Sequence, residues 1–289
     1  MAAKRNVDSG RVDSLGRKIK VSGKGSTVSA KKNLIDSSFQ ESYDKNGNDF
    51  FLVYLHSPNS PSEVMDFFAE KGHPSAAKHN NTSDTGLKFI VADHYDNTIV
   101  MSQVASHPNA GNDTLTVCMG HPEPYVRVGV ARNTSEQAKF AVRMMVDDED
   151  SDVRNAVADN PSLTDSDIEK LANDTDVYVR CAVLRNPHAS GATIDGVIRG
   201  KEGFRGIDNA MRNDNIQDST IEYIASHSGH WGRVVVSKSE KATPAALRSI
   251  YAKERNNLDV LVNLIDNKNC PPDVISDIAT HHPKVTYHR

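Results

Sequence analysis

The stretch VRNAVADNPSLTDSDIEKLANDTD, Val153 to Asp176, is followed by VRCAVLRNPHASGATIDGVIRG, Val179 to Gly200. The two share an order of residues that decides the fold. Val153, Ala156 and Val157 stand at i, i+3 and i+4, the spacing of one helical face. Asn160-Pro161 stops that helix, because the residue before a proline is pushed out of the α region. Thr164 with Asp167 marks a new start, a capping oxygen followed three residues later by an acid. Ile168, Leu171 and Ala172 then supply a second apolar face.

The same grammar runs outward in both directions. Aligning VARNT, VADNP and VLRNP sets anchors at Thr134, Pro161 and Pro187, and weaker copies fall at Pro58, Asn81, Pro108, Asn215, Ser239 and Lys268. Successive anchors are 23 to 29 residues apart and define nine units. Further start signals are Thr134 with Gln137, and Thr243 before Pro244 at the first helical position. Apolar sets of the second helices include Met65/Phe68/Ala69, Leu115/Cys118/Met119, Ile221/Ile224/Ala225 and Ile275/Ile278/Ala279. Helices this short are marginal alone in water, so stacking must stabilise them. The expected fold is all-α: a right-handed α-solenoid of about nine short two-helix repeats over residues 50–282.

The run VRxxVAxNPxxxxxxIxxLAxDxDxxVR, Val153 to Arg180, resembles the leucine-rich repeat variant, a relative of the HEAT and armadillo class. The likeness is specific over residues 126–199 and faint elsewhere. It implies an α-helix paired with a second short helix, α or 3-10, in a right-handed superhelix. One family with this repeat carries a cysteine-ligated iron–sulfur cluster ahead of the repeats. This chain has only Cys118, Cys181 and Cys270, far apart, so that cofactor is not carried over.

Of the 289 residues, 37% are hydrophobic, 6% aromatic and 25% charged, a balance that suits helices packed through Ala, Val, Ile and Leu. No apolar run reaches the ~18 residues of a membrane helix, and the N-terminus lacks the apolar centre of a secretory signal. With no disulfide framework or CxxC pair, a reducing, cytoplasmic location is expected. Residues 1–33 hold Lys4, Arg5, Arg11, Arg17, Lys18, Lys20, Lys24, Lys31 and Lys32 against Asp8 and Asp13, a balance of +7. The chain carries −4 in all, which leaves −11 on the remainder. Residues 1–49, rich in Ser, Gly, Lys and Asn, are expected to be a disordered basic leader, and residues 283–289 a polar tail.

Candidate functional residues each meet a structural reading. Arg127, Arg154 and Arg180 recur in one column that changes to Asp208 and Gly232 later, with Glu123, Asp152 and Asp176 just upstream. An ion-pair ladder is expected there ahead of phosphate binding. Asn133, Asn160, Asn186, Asp214 and Asn267 line up as turn formers. His227 and His230 have near-ligand spacing, but Ser228-Gly229 between them signals a turn, and no metal or other cofactor is expected. Cys118 and Cys270 replace apolar residues, and Cys181 lacks an activating neighbour. The acidic run Asp147-Asp148-Glu149-Asp150 is expected to be a solvated turn. No nucleotide, hydrolase or metalloprotease motif occurs, so no enzyme activity is expected.

The expected function is a non-enzymatic scaffold that binds a protein partner. Its proposed contact is an exposed apolar stripe of Phe67, Ile90 and Val117, in a column that continues as Arg143, Lys170, Gly196, Tyr223, Ser249 and Asp277. The alternative is nucleic-acid binding, with phosphate contacts from Lys18, Lys20, Lys24, Lys31, Lys32, Arg127, Arg154 and Arg180, as HEAT-like DNA glycosylases show to be possible on this architecture.

Overall fold

A computed structural model describes residues 34–285, and all regular structure among them is helical. The chain divides into two compact units, residues 1–162 and 163–289. Unit 1 holds α1 (Ser37–Leu55), α2 (Ser62–Glu70), a 3-10 helix (Pro74–Lys78), α3 (Asp84–His94), α4 (Thr98–Ala105), α5 (Asn112–Met119), α6 (Pro124–Ala131), α7 (Ala138–Met144) and α8 (Ser151–Ala158). Unit 2 holds α9 (Asp165–Ala172), α10 (Val177–Val183), α11 (Gly191–Arg199), a 3-10 turn (Gly203–Gly206), α12 (Ile207–Arg212), α13 (Asp218–His227), α14 (His230–Lys238), α15 (Pro244–Lys253), α16 (Leu258–Asp266) and α17 (Pro272–His281).

First and second helices of each repeat alternate along the chain as expected, with the 3-10 helix Pro74–Lys78 serving as one first helix. Within unit 1, α4, α6 and α8 pack side by side, as do α3, α5 and α7 on the other layer. Within unit 2, α12, α14 and α16 form one row and α9, α11, α13 and α15 the other. Predicted caps are in place: Thr164 and Asp167 form a reciprocal capping box on α9, and Thr243 caps α15 ahead of Pro244. Thr134 with Gln137 does not start α7, which begins at Ala138. In α17 the buried pair is Val274 and Ile278, i and i+4, while Ala279 is exposed.

The leader boundary at residue 49 is corrected. Residues 1–33 lie outside the described residues, but α1 begins at Ser37 with Asp36 accepting from the Phe39 amide at its N-cap. Five aromatics pack α1 together: Phe51 is buried, and Phe39, Tyr43, Phe50 and Tyr54 are half-buried. Gly47, at φ +52°, breaks α1 into two helices. The break folds the first against the second: Phe39 lies 4.9 Å from Phe50, where an unbroken helix would separate them by about 16 Å. Phe39 and Tyr43 then pack edge-on against Phe67, at 5.5 and 5.2 Å.

Successive first helices are joined by a ladder of buried side chains at their C-terminal ends. Asn133 Nδ2 donates to the carbonyls of Ala105 and His107, and Asn160 Nδ2 to those of Ala131 and Asn133. In unit 2, Asn213 donates to Leu184 and Asn186, and Asn267 to Ser237 and Ser239. Each Asn Oδ1 also accepts the amide two residues on: Ser135, Ser162, Asn215 and Asn269, and His188 above Asn186. Early repeats use histidine in the same place, with His107 Nε2 bonded to the His79 carbonyl and Nδ1 accepting the Asn109 amide. The turn reading of this column therefore holds for Asn133, Asn160, Asn186 and Asn267. Asp214 is replaced by its neighbour Asn213, since Asp214 is exposed and pairs with Lys241.

A second rung runs alongside. Asn81 donates to Pro58 and Ser60, Asn109 to Asn80 and Thr82, Asn215 to Pro187 and Ala189, and Asn269 to Glu240 and Ala242. These carbonyls lie in turns, where helical partners are lacking, so the side-chain amides supply partners in bonds that are exposed or part-buried.

Candidate functional site

Because the ladder ties C-terminal ends together, first helices run parallel and present their N-termini along one edge of each unit. In unit 1 the opposite ends are also tied: His121, before α6, bonds the Tyr95 carbonyl before α4. Arg127 on α6 reaches the loop before α8, where Nε and Nη2 each sit 2.8 Å from an Asp148 oxygen. Its Nη1 donates to the carbonyls of His121 and Pro122. Arg127 is buried and Asp148 half-buried, and the paired carboxylate pushes the guanidinium pKa up. The acidic run is thus not wholly a solvated turn: Asp148 is a structural ion-pair partner, while Asp147 and Glu149 are exposed and Asp150 caps α8. Arg127 pairs across to the next layer and not with Glu123.

The arginine column has the same structural use elsewhere. Arg154 Nη1 donates to the carbonyls of Asp148 and Glu149, and Arg180 Nη1 to those of Asp174 and Thr175. Contrary to the sequence reading, the column returns in α14 at Arg233, one residue after Gly232. Arg233 Nε lies 2.6 Å from Glu254, which His230 Nδ1 also approaches at 3.3 Å. Arg127–Asp148 and Arg233–Glu254 share a separation of 21 residues. Burial would raise the Glu254 pKa, but the bonds from Arg233 and His230 outweigh it and hold the carboxyl below its usual value. Ion pairing is shown at Arg127 and Arg233, with acids 21 residues further on and not with the upstream acids the sequence suggested, while Arg154 and Arg180 bond backbone carbonyls; these guanidinium groups are turned toward their own chain.

The predicted apolar stripe is overturned. Phe67 and Ile90 are buried and Val117 is half-buried. Phe67 is covered by Phe39 and Tyr43 of α1, and Ile90 is fully enclosed in the core. Lys18, Lys20, Lys24, Lys31 and Lys32 lie outside the described residues. The cysteines are buried, and burial pushes the Cys118 thiol up to about 12. His227 stacks on Tyr223 with ring centroids 4.2 Å apart, while Arg199 covers that tyrosine at 4.1 Å. Among the described residues no group of His, Cys, Asp and Glu is arranged to hold a metal ion, and no helix is long and apolar enough to cross a membrane.

A different apolar column is exposed. The second residue of a first helix is Ile99 in α4, Tyr125 in α6, Tyr178 in α10 and Trp231 in α14, with 62, 56, 64 and 63% of each exposed. The equivalent positions in α8 and α12 are Asp152 and Asp208. In unit 1, Asp93 at the end of α3 and Asp96 lie beside Ile99, and the loops before α6 and α8 carry the exposed Glu123, Asp147 and Glu149. A shallow depression of about 430 Å³ beside Ile99 is lined by Asp93, His94, Asp96, Asn97 and Thr98. The His94 Nε2 atom is buried there without a hydrogen-bond partner. Sequence reasoning missed this column because it followed second helices. The readable signal was an apolar residue immediately before Val126 and Val179, where the helical period places none on the core face.

Compared with protein-family models, curated proteins and solved structures, the chain matches none.

Proposed function

We propose that the chain is a non-enzymatic binding module of the α-solenoid kind, akin to the leucine-rich repeat variant, that holds a protein partner along the N-terminal edge of its first helices. The recurrence of exposed large apolar residues at one helical position carries this reading. Isolated exposed apolar side chains are ordinary, but a set repeated at the same structural position marks a contact surface. The carbonyl ladder that recurs in both units supports the solenoid part, because the same Asn bonds join neighbouring first helices at several steps within each unit. Nucleic-acid binding draws less support: Arg127, Arg154 and Arg180 donate to backbone and to Asp148, and the loops beside them are acidic.

Affinity capture on the full chain tests the reading, with Tyr178→Ala/Trp231→Ala as the paired variant. A protein retained by the wild type, resistant to nuclease, and recovered at about tenfold lower yield on the variant is expected, since aromatic contact residues carry much of an interface's energy. Both side chains are exposed, so the melting temperature should not move. Equal recovery on both, or recovery that nuclease abolishes, would contradict the proposal.

A further inference from the structure

The exposed edge of unit 1 and the unplaced charge of residues 1–33 complement each other. Ile99 and Tyr125 stand on adjacent parallel helices, α4 and α6, with carboxylates at the end of α3 and on the loops before α6 and α8. Of the cations at this edge, Arg127 is buried against Asp148 with Glu149 at 3.7 Å, and Arg154 donates to the Asp148 and Glu149 carbonyls. Residues 1–33 carry +7, and Val12, Leu15, Ile19 and Val21 are interleaved there with Arg11, Arg17, Lys18 and Lys20. We propose that residues 1–33 dock in cis on this edge, apolar side chains against Ile99 and Tyr125, and Lys/Arg head groups against Asp93, Glu123, Glu149 and Asp152.

Two physical points select this occupant. First, charge: a basic segment lowers the repulsion among the edge carboxylates, whereas an acidic or neutral one does not. Second, tethering: the segment enters α1 at Leu34–Ser37, and α1 belongs to the same unit. Tyr125 lies three first-helix layers beyond the second half of α1, on the order of 30 Å at 8–10 Å per layer. A chain of 33 residues can extend to about 110 Å. Joined this way, the edge meets the segment at an effective concentration in the millimolar range, so individually weak exposed ion pairs suffice.

The test is zero-length carbodiimide cross-linking of the full chain at low salt, with cross-linked peptides mapped in the monomer fraction. Expected are amide links from Lys18, Lys20 or Lys24 to Glu123, Glu149 or Asp152, at least about fivefold more frequent than to exposed unit 2 carboxylates such as Asp218 and Asp273. Links to unit 1 should fall by a similar factor in 0.5 M salt, where screening removes most attraction between exposed charges. They should also fall in Ile99→Ser/Tyr125→Ser, which keeps every amine and carboxylate, at unchanged melting temperature. Links spread evenly over both units, insensitivity to salt and to the double substitution, links found only in covalent dimers, or no links at all would each overturn the proposal. No partner is present in this experiment, so its failure is separate from failure of the partner-binding reading.

Discussion

At the scale of single residues, a few buried amides decide how one repeat meets the next. Asn160 is 3% exposed and makes two donated bonds and one accepted bond. Asn160→Ala leaves the carbonyls of Ala131 and Asn133 and the Ser162 amide without partners, an expected loss of about 2–4 kcal/mol in denaturant unfolding. Asn160→Asp should be no better, because a carboxylate accepts but cannot donate. This column was legible in the sequence wherever Asn-Pro or Asn-Thr marked it. It slipped by one residue at Asp214 because Asn213 and Asn215 are both ladder residues, so the weak repeat offered two competing anchors. Ile90 shows the opposite failure. Its column seemed surface-facing because later members are polar, yet it is fully buried. Ile90→Lys should therefore cost several kcal/mol and lower the melting temperature sharply, while Tyr125→Ser should leave it nearly unchanged.

At the scale of elements, helix starts and stops were readable because capping residues and prolines act locally. Contacts that fold a segment back on itself were not. The composition of residues 1–49 suggested disorder, but Phe39, Tyr43, Phe50, Phe51 and Tyr54 close on Phe67 and Phe68 once Gly47 breaks α1. A Cβ at Gly47 would meet no neighbour, so Gly47→Ala is a conformational test alone. It should destabilise α1 by about 1 kcal/mol, seen as faster amide exchange in Ser37–Leu55. The link between α14 and the loop before α16 has a pH signature. The Glu254 pKa is lowered in the fold, so the ionised carboxyl contributes stability above its ordinary 4.5. That contribution is lost as pH falls through the lower folded value. Wild type should lose melting temperature more steeply than Glu254→Gln on acidification below pH 4.5. Parallel curves would remove the Arg233–His230–Glu254 cluster from the account.

At the scale of the whole chain, the all-helical class and the repeat period followed from residues that recur together. The candidate site did not, because exposure depends on the register of each helix and that register is faint where the early repeats diverge. The division between Ser162 and Leu163 was also invisible, since it falls inside the best-formed repeat, between α8 and α9. Within each unit, buried Asn side chains tie first helices to their neighbours, and amide hydrogen exchange on the wild-type chain is the sharpest check of that ladder. The amides of Ser135, Ser162, His188, Asn215 and Asn269 lie outside helices, yet each donates to a buried ladder side chain. All five should exchange as slowly as amides in the helices beside them, on the order of a thousandfold or more below unprotected loop rates. Exchange of these five at loop rates, with the helices still protected, would contradict it.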